Sequence, residues 1–568
     1  MNDKDHPRSG GCWQAVADTL AASGVRRVFG LPSDEPGLLD AATAVPGLDV
    51  TVVGDQRVAA CAAAGWALAA REPVALALNS GPSFANALPG LLEAASLSVP
   101  LTVITTRVPE ENIGRGAFQY VDQLRMIEPL AGWTHRVEHP GQLVWAVHQA
   151  VRRAVDGRPD LTVIEIAEEL TTQEHQVDAA ATPPVRRVRR LRSLPPPSEL
   201  DRAAETLRTA DRPLIVAGGG TRWSQELDLE EQDLEELADV LGAPVFTTAA
   251  GRGAVDEGHP RSFGLVGLYT TPPAADLLNG ADTILVLGSK LEETARMGWD
   301  AWRTAHVIQV DASPQAFGEG CPVAQPLLGD TALVTAELIT RLKAEGPRKK
   351  RAPATWSTLQ RQVAKAQQAH VEADFATSPV RAALSGVRRI LGPKTLLVQE
   401  NGLHDIWSYH YPVVTVARGA RPVCPGEQTM MGFGLGASVG AALTRPAAPV
   451  VLLTGDSALR LSVGALDALR HHSLGVIIVV FDNQGFGWPR RLRTHSDAPH
   501  VSTAWAPDAP PDRLAAAFGG WGTTAADQDS LTQALHIAQH RSRQGDFSII
   551  RVPVPDDDVP IGIEAAGY

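Results

Sequence analysis

Two polar clusters near the C-terminal end hold the residues best suited to chemistry. Gly455-Asp456-Ser457 and Asp482-Asn483-Gln484-Gly485 each follow an apolar β-type run, Val450–Thr454 and Gly475–Phe481. The segment between the runs reads as a helix. A β–α–β unit of this kind sets both clusters at the carboxyl edge of a parallel sheet, where open α/β folds bind ligands. Asp456 and Asn483 are distant in sequence but would be neighbours in space. A carboxylate, an amide oxygen and a backbone carbonyl from the following turn suit a hard cation such as Mg²⁺. Mg²⁺ takes few ligands from protein and the rest from phosphates, so a bound diphosphate is implied. On these clusters alone, an ordinary β–α–β unit with an Asp and an Asn at its strand ends is the alternative.

The elements that must position these residues come in three blocks. A chain of 568 residues suggests three or four domains. Residues 1–181 alternate helical and strand-like segments, as an α/β domain should. The pattern predicts helices over Cys12–Ser23, Pro36–Ala44, Val58–Ala70 and Asn86–Ser96. It predicts strands over Arg27–Phe29, Val74–Leu78, Leu101–Thr105 and Leu161–Ile166, and one ending at Val52–Val53. Residues 182–198, with Pro183-Pro184, an Arg-rich run and Pro195-Pro196-Pro197, read as a linker. A second α/β block spans 199–345, with strands Pro213–Val216, Pro244–Thr247, Thr283–Leu287 and Val307–Val310. Glycines Gly218-Gly219-Gly220 after its first strand are a weak hint of a nucleotide, and tight turns in a structural domain explain them better. After a second linker at 345–355, the block 356–568 contains the opening clusters and closes with a strand over Phe547–Val552.

Composition narrows the function. The chain is 44% hydrophobic and 20% charged, with a formal net charge of −13, so nucleic acid is not an expected partner. The basic runs Arg186–Arg192 and Arg348–Arg351 sit beside prolines and read as solvated. Cys12, Cys61, Cys321 and Cys424 show no metal-ligand spacing, which fits a reducing cytoplasm. The start MNDKDHPRSG lacks the apolar core of a signal peptide, and no apolar run reaches the roughly 20 residues of a membrane span.

The opening stretch resembles the thiamine-diphosphate motif of the acetolactate synthase and pyruvate decarboxylase family, Gly-Asp-Gly followed at a fixed spacing by Asn-Asn. Ser457 replaces the second glycine and Asp482 the first asparagine. The resemblance implies three doubly wound α/β domains: pyrimidine-binding, central and diphosphate-binding. It implies that Asp456, Asn483 and the Gly485 carbonyl bind Mg²⁺, with Gly455, Ser457 and Ala458 beside the diphosphate. Asn401-Gly402-Leu403-His404-Asp405-Ile406-Trp407 is similar to the Gly-Gln-His-Gln-Met-Trp stretch, so Gly402 and His404 would approach phosphate. In Thr429-Met430-Met431-Gly432, Met431 would wedge between the cofactor rings, and the Thr429 carbonyl would accept from the aminopyrimidine. Ser80-Gly81-Pro82-Ser83 with Asn86 resembles Ser-Gly-Pro-Gly-Ala-Thr-Asn, making Ser83 a substrate contact. Gly114-Arg115-Gly116-Ala117-Phe118-Gln119 resembles the Asp-Ala-Phe-Gln segment of acetolactate synthases, which adds Phe118 and Gln119. Lys290–Arg296 lacks the Arg-Phe-Asp-Asp-type stretch of flavin-binding members, so FAD is not expected.

One departure falls on chemistry. The register Val53-Gly54-Asp55-Gln56-Arg57-Val58-Ala59-Ala60 puts Gln56 where the family has a glutamate that moves the proton activating the cofactor. An amide can bond the ring nitrogen but cannot act as an acid near pH 7. Either activation is slower, or Asp55 or Asp34 takes over, or the chain binds cofactor and turns over poorly. Members similar to glyoxylate carboligase also lack this glutamate. Asp34, in Phe29-Gly30-Leu31-Pro32-Ser33-Asp34, resembles a proton-handling Asp of the decarboxylases; it reads equally as an N-cap of the next helix. The paired His and later Glu of those decarboxylases are missing, since Ile113–Tyr120 has no His and Pro489 stands at the Glu position. The implied reaction is decarboxylation of a 2-oxo acid, pyruvate by default, with transfer to a carbonyl acceptor. Simple decarboxylation or C–C lysis, and cofactor binding with little turnover, are the alternatives. In the family the site forms across subunits, which implies a homodimer or homotetramer.

Overall fold

The computed structural model describes residues 11–172, 185–224, 234–344, 354–375, 378–392, 394–445, 449–493, 501–505, 510–555 and 558. The chain forms three parallel sheets, each flanked by helices. The first contains β1 (Arg27–Gly30), β2 (Asp49–Val52), β3 (Val74–Leu78), β4 (Leu101–Arg107), β5 (Trp133–Val137) and β6 (Leu161–Ala167), in the order β2-β1-β3-β4-β6-β5. The second contains β7 (Pro213–Ala217), β8 (Val245–Thr247), β9 (Ser262–Leu265), β10 (Thr283–Leu287), β11 (His306–Asp311) and β12 (Gln325–Leu328), in the order β12-β11-β10-β7-β8-β9. The third contains β13 (Leu396–Gln399), β14 (Val450–Gly455), β15 (Val476–Asp482), β16 (Trp521–Thr524) and β17 (Ser548–Pro553), in the order β13-β14-β15-β17-β16. This is the expected class of three α/β domains.

Central strands such as β15, VIIVVFD, are buried on both faces, which is why they read as unbroken apolar runs. Burying each such side chain stabilises the fold by about 1.5–3 kcal/mol. Among the described residues, no helix is long and apolar enough to cross a membrane.

The chain divides into two compact units that do not follow sequence order. One contains residues 1–191 with 428–446 and 462–474; the other contains 192–427, 447–461 and 475–568. Within the first unit, helix Phe433–Thr444 packs along helix Gln56–Ala70. The fit depends on small side chains: a Cβ on Gly440 would sit 1.8 Å from the Ala62 carbonyl.

Several elements depart from the expected ones. The segment between β14 and β15 is two helices, Asp456–Leu461 and Ala465–His471, not one. The break falls at Ser462, whose hydroxyl donates to the Gly432 carbonyl at 2.8 Å. The helix expected over Pro36–Ala44 spans Leu38–Thr43, with Gly37 as its N-cap and the Asp40 carboxylate accepting from Gly37 N. Asp34 therefore does not cap it. The helix expected from Asn86 starts at Pro82, since proline fits the first helical turn. The run Arg186–Arg192 is only partly solvated. Arg190 donates to the Gly157 carbonyl at 2.9 Å, and Arg192 donates to the Ser224 carbonyl. The run Arg348–Arg351 lies outside the described residues.

Candidate cofactor site

In the second unit, the C-terminal ends of β14 and β15 bring the opening clusters together. Asp456 follows β14 directly and is 2% exposed. One amide atom of Asn483 lies 3.2 Å from Asp456 Oδ1 and 2.9 Å from the Gly485 carbonyl oxygen. Turned nitrogen-inward, the amide donates to both oxygens and closes the site by itself. Turned oxygen-inward, it completes three oxygens facing one point, which is what a hard cation needs. Burial, and secondarily Asp482, push the Asp456 carboxyl up to about 7. Its Oδ2 is buried without a hydrogen-bond partner. A cation would supply the charge that this carboxylate lacks. Among the described residues, no group of three His, Cys, Asp or Glu side chains is placed to hold a metal. The candidate set is one carboxylate, one amide and one carbonyl, a donor set suited to Mg²⁺ with phosphate.

The two departures from the motif have local partners. Ser457 Oγ donates to the Gly485 carbonyl at 2.8 Å, tying the two strand ends together. That carbonyl has two lone pairs, so one stays available. Asp482 pairs with Arg551 of β17 and accepts from Gln484 N at 3.0 Å. Its carboxylate is held by the sheet, though its charge still adds to the rise at Asp456. Gly455 leads into this turn, and Ala458 is buried in the short helix behind it.

Gly402 and His404 sit at the start of helix Leu403–Tyr409, after β13. The Asp405 carboxylate accepts from Gly402 N at 3.4 Å. His404 stacks on Phe481 of β15 with ring centroids 5.5 Å apart. Its Nδ1 lies 3.6 Å from the Cβ position of Gly455, so His404 belongs to the same cluster. Burial pulls the His404 imidazole down to about 4, against backbone hydrogen bonds at Leu453 and Glu400. The ring is neutral near pH 7, and Nε2 is buried without a partner. With Nδ1 bonded to the backbone, Nε2 presents a lone pair. To donate to a phosphate, His404 must take up a proton, which a bound anion favours.

The first unit holds the remaining candidates. Gln56 opens helix Gln56–Ala70, and Asp55 is its N-cap, accepting from Val58 N at 3.1 Å. Asn86 Nδ2 donates to Gln56 Oε1 at 2.8 Å. Ser83 lies in the first turn of helix Pro82–Ser96, and its hydroxyl accepts from Asn79 N at 3.2 Å. The Gln119 carbonyl packs against Gly81, and Gln119 itself has φ +59°. The loop bearing Gln119 thus meets the turn bearing Ser83. Phe118 is 85% exposed, and Asp34 is exposed within its turn.

Thr429 has φ +47°, an uncommon conformation for a β-branched residue. Met430 N, between the two candidate cofactor contacts Thr429 and Met431, donates to the Glu93 carboxylate at 2.7 Å. Met430 Sδ also lies 3.9 Å from Cys61 Sγ. Met431 is partly buried beside it.

Sequence reasoning missed Glu93, Gln123 and the role of Asn86. Glu93 is fully buried and is the one charged residue of helix Pro82–Ser96; a charge on a core face was the available signal. Gln123 accepts from Gly81 N at 2.8 Å and donates to Glu165 at 3.1 Å. No spacing pattern pointed to it.

The order of the three domains meets its counterpart in family comparisons. Residues 12–126 match the thiamine pyrophosphate enzyme N-terminal TPP binding domain, 200–338 the central domain, and 400–552 the C-terminal TPP binding domain. The chain belongs to the thiamine pyrophosphate enzyme family. Three relatives show the range within it. The chain is 26% identical to a probable acetolactate synthase large subunit of Methanococcus aeolicus, over 84% of this chain and 80% of that one. It is 24% identical to the acetolactate synthase isozyme 3 large subunit of Escherichia coli, over 98% and 97%. It is 27% identical to a 2-hydroxyacyl-CoA lyase of Arabidopsis thaliana, over 92% of each chain. As a thiamine pyrophosphate enzyme, the chain has TPP-binding domains at both ends and a central domain between them.

Proposed function

We propose a thiamine-diphosphate- and Mg²⁺-dependent carboligase that decarboxylates a 2-oxo acid, pyruvate by default, and transfers the acyl unit to a carbonyl acceptor. The observation that carries this reading is the convergence of Asp456, Asn483 and the Gly485 carbonyl beside two unpartnered buried atoms, Asp456 Oδ2 and His404 Nε2. Asp456, Asn483 and Gly485 would hold Mg²⁺, and Gly402 and His404 would meet the diphosphate. The bound cofactor supplies the electron sink that lets a 2-oxo acid lose CO₂.

The protein's own groups decide the fate of the proton and of the acyl unit. Gln56 gives its oxygen to Asn86, so its NH₂ is the end it can present to the aminopyrimidine, a donor that moves no proton. Asp55 is committed as a cap, which leaves Asp34 as the remaining acid candidate of the sequence reading. The stretch Ile113–Tyr120 offers no histidine to protonate a product. Slow protonation favours transfer to a second carbonyl over aldehyde release. Ser83 and Gln119, on adjoining turns, are the proposed substrate contacts, with Phe118 beside them.

Similarity to acetolactate synthase large subunits along most of the chain supports this reading and the proposal of a homodimer or homotetramer. The four cysteines are buried and outside any disulfide, which supports a reducing cytoplasmic setting. C–C lysis is the second reading, favoured by the similarity to a 2-hydroxyacyl-CoA lyase.

The test is incubation with thiamine diphosphate, Mg²⁺ and a panel of 2-oxo acids, with products identified. CO₂ with a ligated hydroxyketone is expected. CO₂ with free aldehyde would shift the assignment to a decarboxylase. Cofactor binding without CO₂ from any donor would overturn the catalytic reading.

A further inference from the structure

The turn that carries Asn483 and Gly485 is fastened from outside the recognised motif. Arg490, on helix Gly487–Arg493, reaches back over it. Its Nη1 donates to the Asn483 carbonyl at 3.2 Å, and its Nη2 donates to the Gln484 carbonyl at 3.3 Å. The same guanidinium also grips a separate strap, residues 501–505. Its Nε donates to Thr503 Oγ1 at 3.2 Å, and its Nη2 donates to the Thr503 carbonyl at 3.4 Å.

The strap docks on the turn as a short antiparallel bridge, Gly485 opposite Ala504. Phe486 N donates to the Thr503 carbonyl and Trp505 N to the Gln484 carbonyl, both at 2.9 Å. Trp505 packs on Phe486 with ring centroids 4.6 Å apart. It also lies under the Arg460 guanidinium, 5.2 Å from the ring centroid. Arg460 belongs to helix Asp456–Leu461, so the strap touches both elements that carry candidate metal ligands. A Cβ on Gly485 would lie 2.2 Å from both Arg490 Nη2 and the Thr503 carbonyl. Residue 485 is therefore glycine because the strap and Arg490 occupy the space of a side chain.

We propose that Arg490, with Thr503 and Trp505, positions the Asn483–Gly485 turn so that its amide and carbonyl oxygens are set for the cation before it arrives. The inference rests on the Mg²⁺ reading of the site above and adds residues that the motif does not contain. Four acceptors on two backbone segments are held by one planar fork. A lysine ammonium could not reproduce that arrangement. Groups that orient metal ligands from outside typically account for roughly 10–100-fold in metal affinity. A turn fixed in advance loses less freedom when the metal binds.

The experiment uses the full chain with thiamine diphosphate and titrates Mn²⁺, following free Mn²⁺ by electron paramagnetic resonance. Variants Arg490→Ala, Arg490→Lys and Trp505→Leu are compared with Asp456→Ala. Circular dichroism and thermal melting check that each variant is folded. Arg490→Ala should raise the Mn²⁺ dissociation constant roughly 10–100-fold. Arg490→Lys should recover part of that loss, and Trp505→Leu should give a smaller increase. In turnover, the metal concentration at half-maximal rate should rise more than kcat falls; a purely structural staple would lower melting temperature without that split. If the Arg490 and Trp505 variants bind Mn²⁺ as the unaltered chain does while Asp456→Ala does not, the positioning role is overturned and the site reading stands. If Asp456→Ala binds Mn²⁺ unchanged, the site reading falls and takes the positioning role with it.

Discussion

At the carboxyl edge of β14 and β15, each departure from the family motif has a local partner. Ser457 bonds the Gly485 carbonyl, and Asp482 pairs with Arg551. Neither departure replaces a residue of the candidate ligand set. At the start of helix Gln56–Ala70, the proposed departure would remove the acid itself. Gln56 is neutral, its neighbour Asp55 is a cap, and Asn86 takes its oxygen. Substitutions around a ligand set are tolerated when another group accepts their polar atoms. A substitution of the acid cannot be absorbed that way, because no hydrogen bond turns a neutral amide into an acid that titrates near pH 7. In the proposed function, a binding region whose expected ligands are kept thus contrasts with a proton-handling region whose expected acid is replaced.

The strongest way to break this contrast is Asp456→Ala. It removes the one carboxylate of the proposed ligand set. Mg²⁺-dependent cofactor affinity, measured by calorimetry with and without the metal, should fall by more than the roughly 10–100-fold typical of an outer partner. Unchanged affinity would remove the binding region from the comparison. A change in the other region should act differently. Gly440→Ala drives a methyl into the Ala62 carbonyl and should destabilise the first unit by about 1–3 kcal/mol. Thermal unfolding measures this, and Mg²⁺ affinity of the folded fraction should be unaffected.

Acidity sharpens the contrast further. Burial holds the Asp456 carboxyl near 7 in the metal-free chain. Metal requires the carboxylate, so below that value protons compete with Mg²⁺. Affinity should fall about tenfold for each pH unit below about 7 and level off above it. A flat profile across that range would mean that Asp456 is not a ligand. The smallest effect is expected for Asn86→Ala, which frees Gln56 Oε1. Losing one hydrogen bond of about 1 kcal/mol should alter cofactor affinity only slightly, as read by calorimetry. A large loss would give Asn86 a direct role.

Much of this was legible in the sequence, for a physical reason. Strands such as β14 and β15 are buried on both faces, so their apolar runs stand out, and the polar residues at their ends are conspicuous. β5 was missed because WTHRV is half-buried at a sheet edge and carries no clear pattern. The break at Ser462 was missed because it depends on the distant Gly432 carbonyl. The grouping of 428–446 with the first unit left a faint signal. Gly432, Gly436 and Gly440 recur every four residues, opposite an alanine-rich helix with room for them. Arg490 was invisible as a positioning residue because its acceptors are backbone carbonyls, which any sequence supplies. The cap reading of Asp34 failed because the residues between it and the helix form a turn, with Gly37 in the capping position.

The proposed combination of kept cofactor binding with altered proton handling has a direct readout in deuterium exchange at the thiazolium C2 of thiamine diphosphate, measured with protein and saturating Mg²⁺. Mg²⁺-dependent binding with slow exchange is expected, and Gln56→Glu should accelerate that exchange on the order of 10²–10⁴-fold, the usual contribution of a positioned acid–base group. Rapid exchange in the unaltered chain that Gln56→Glu leaves unchanged would contradict the contrast between the two regions.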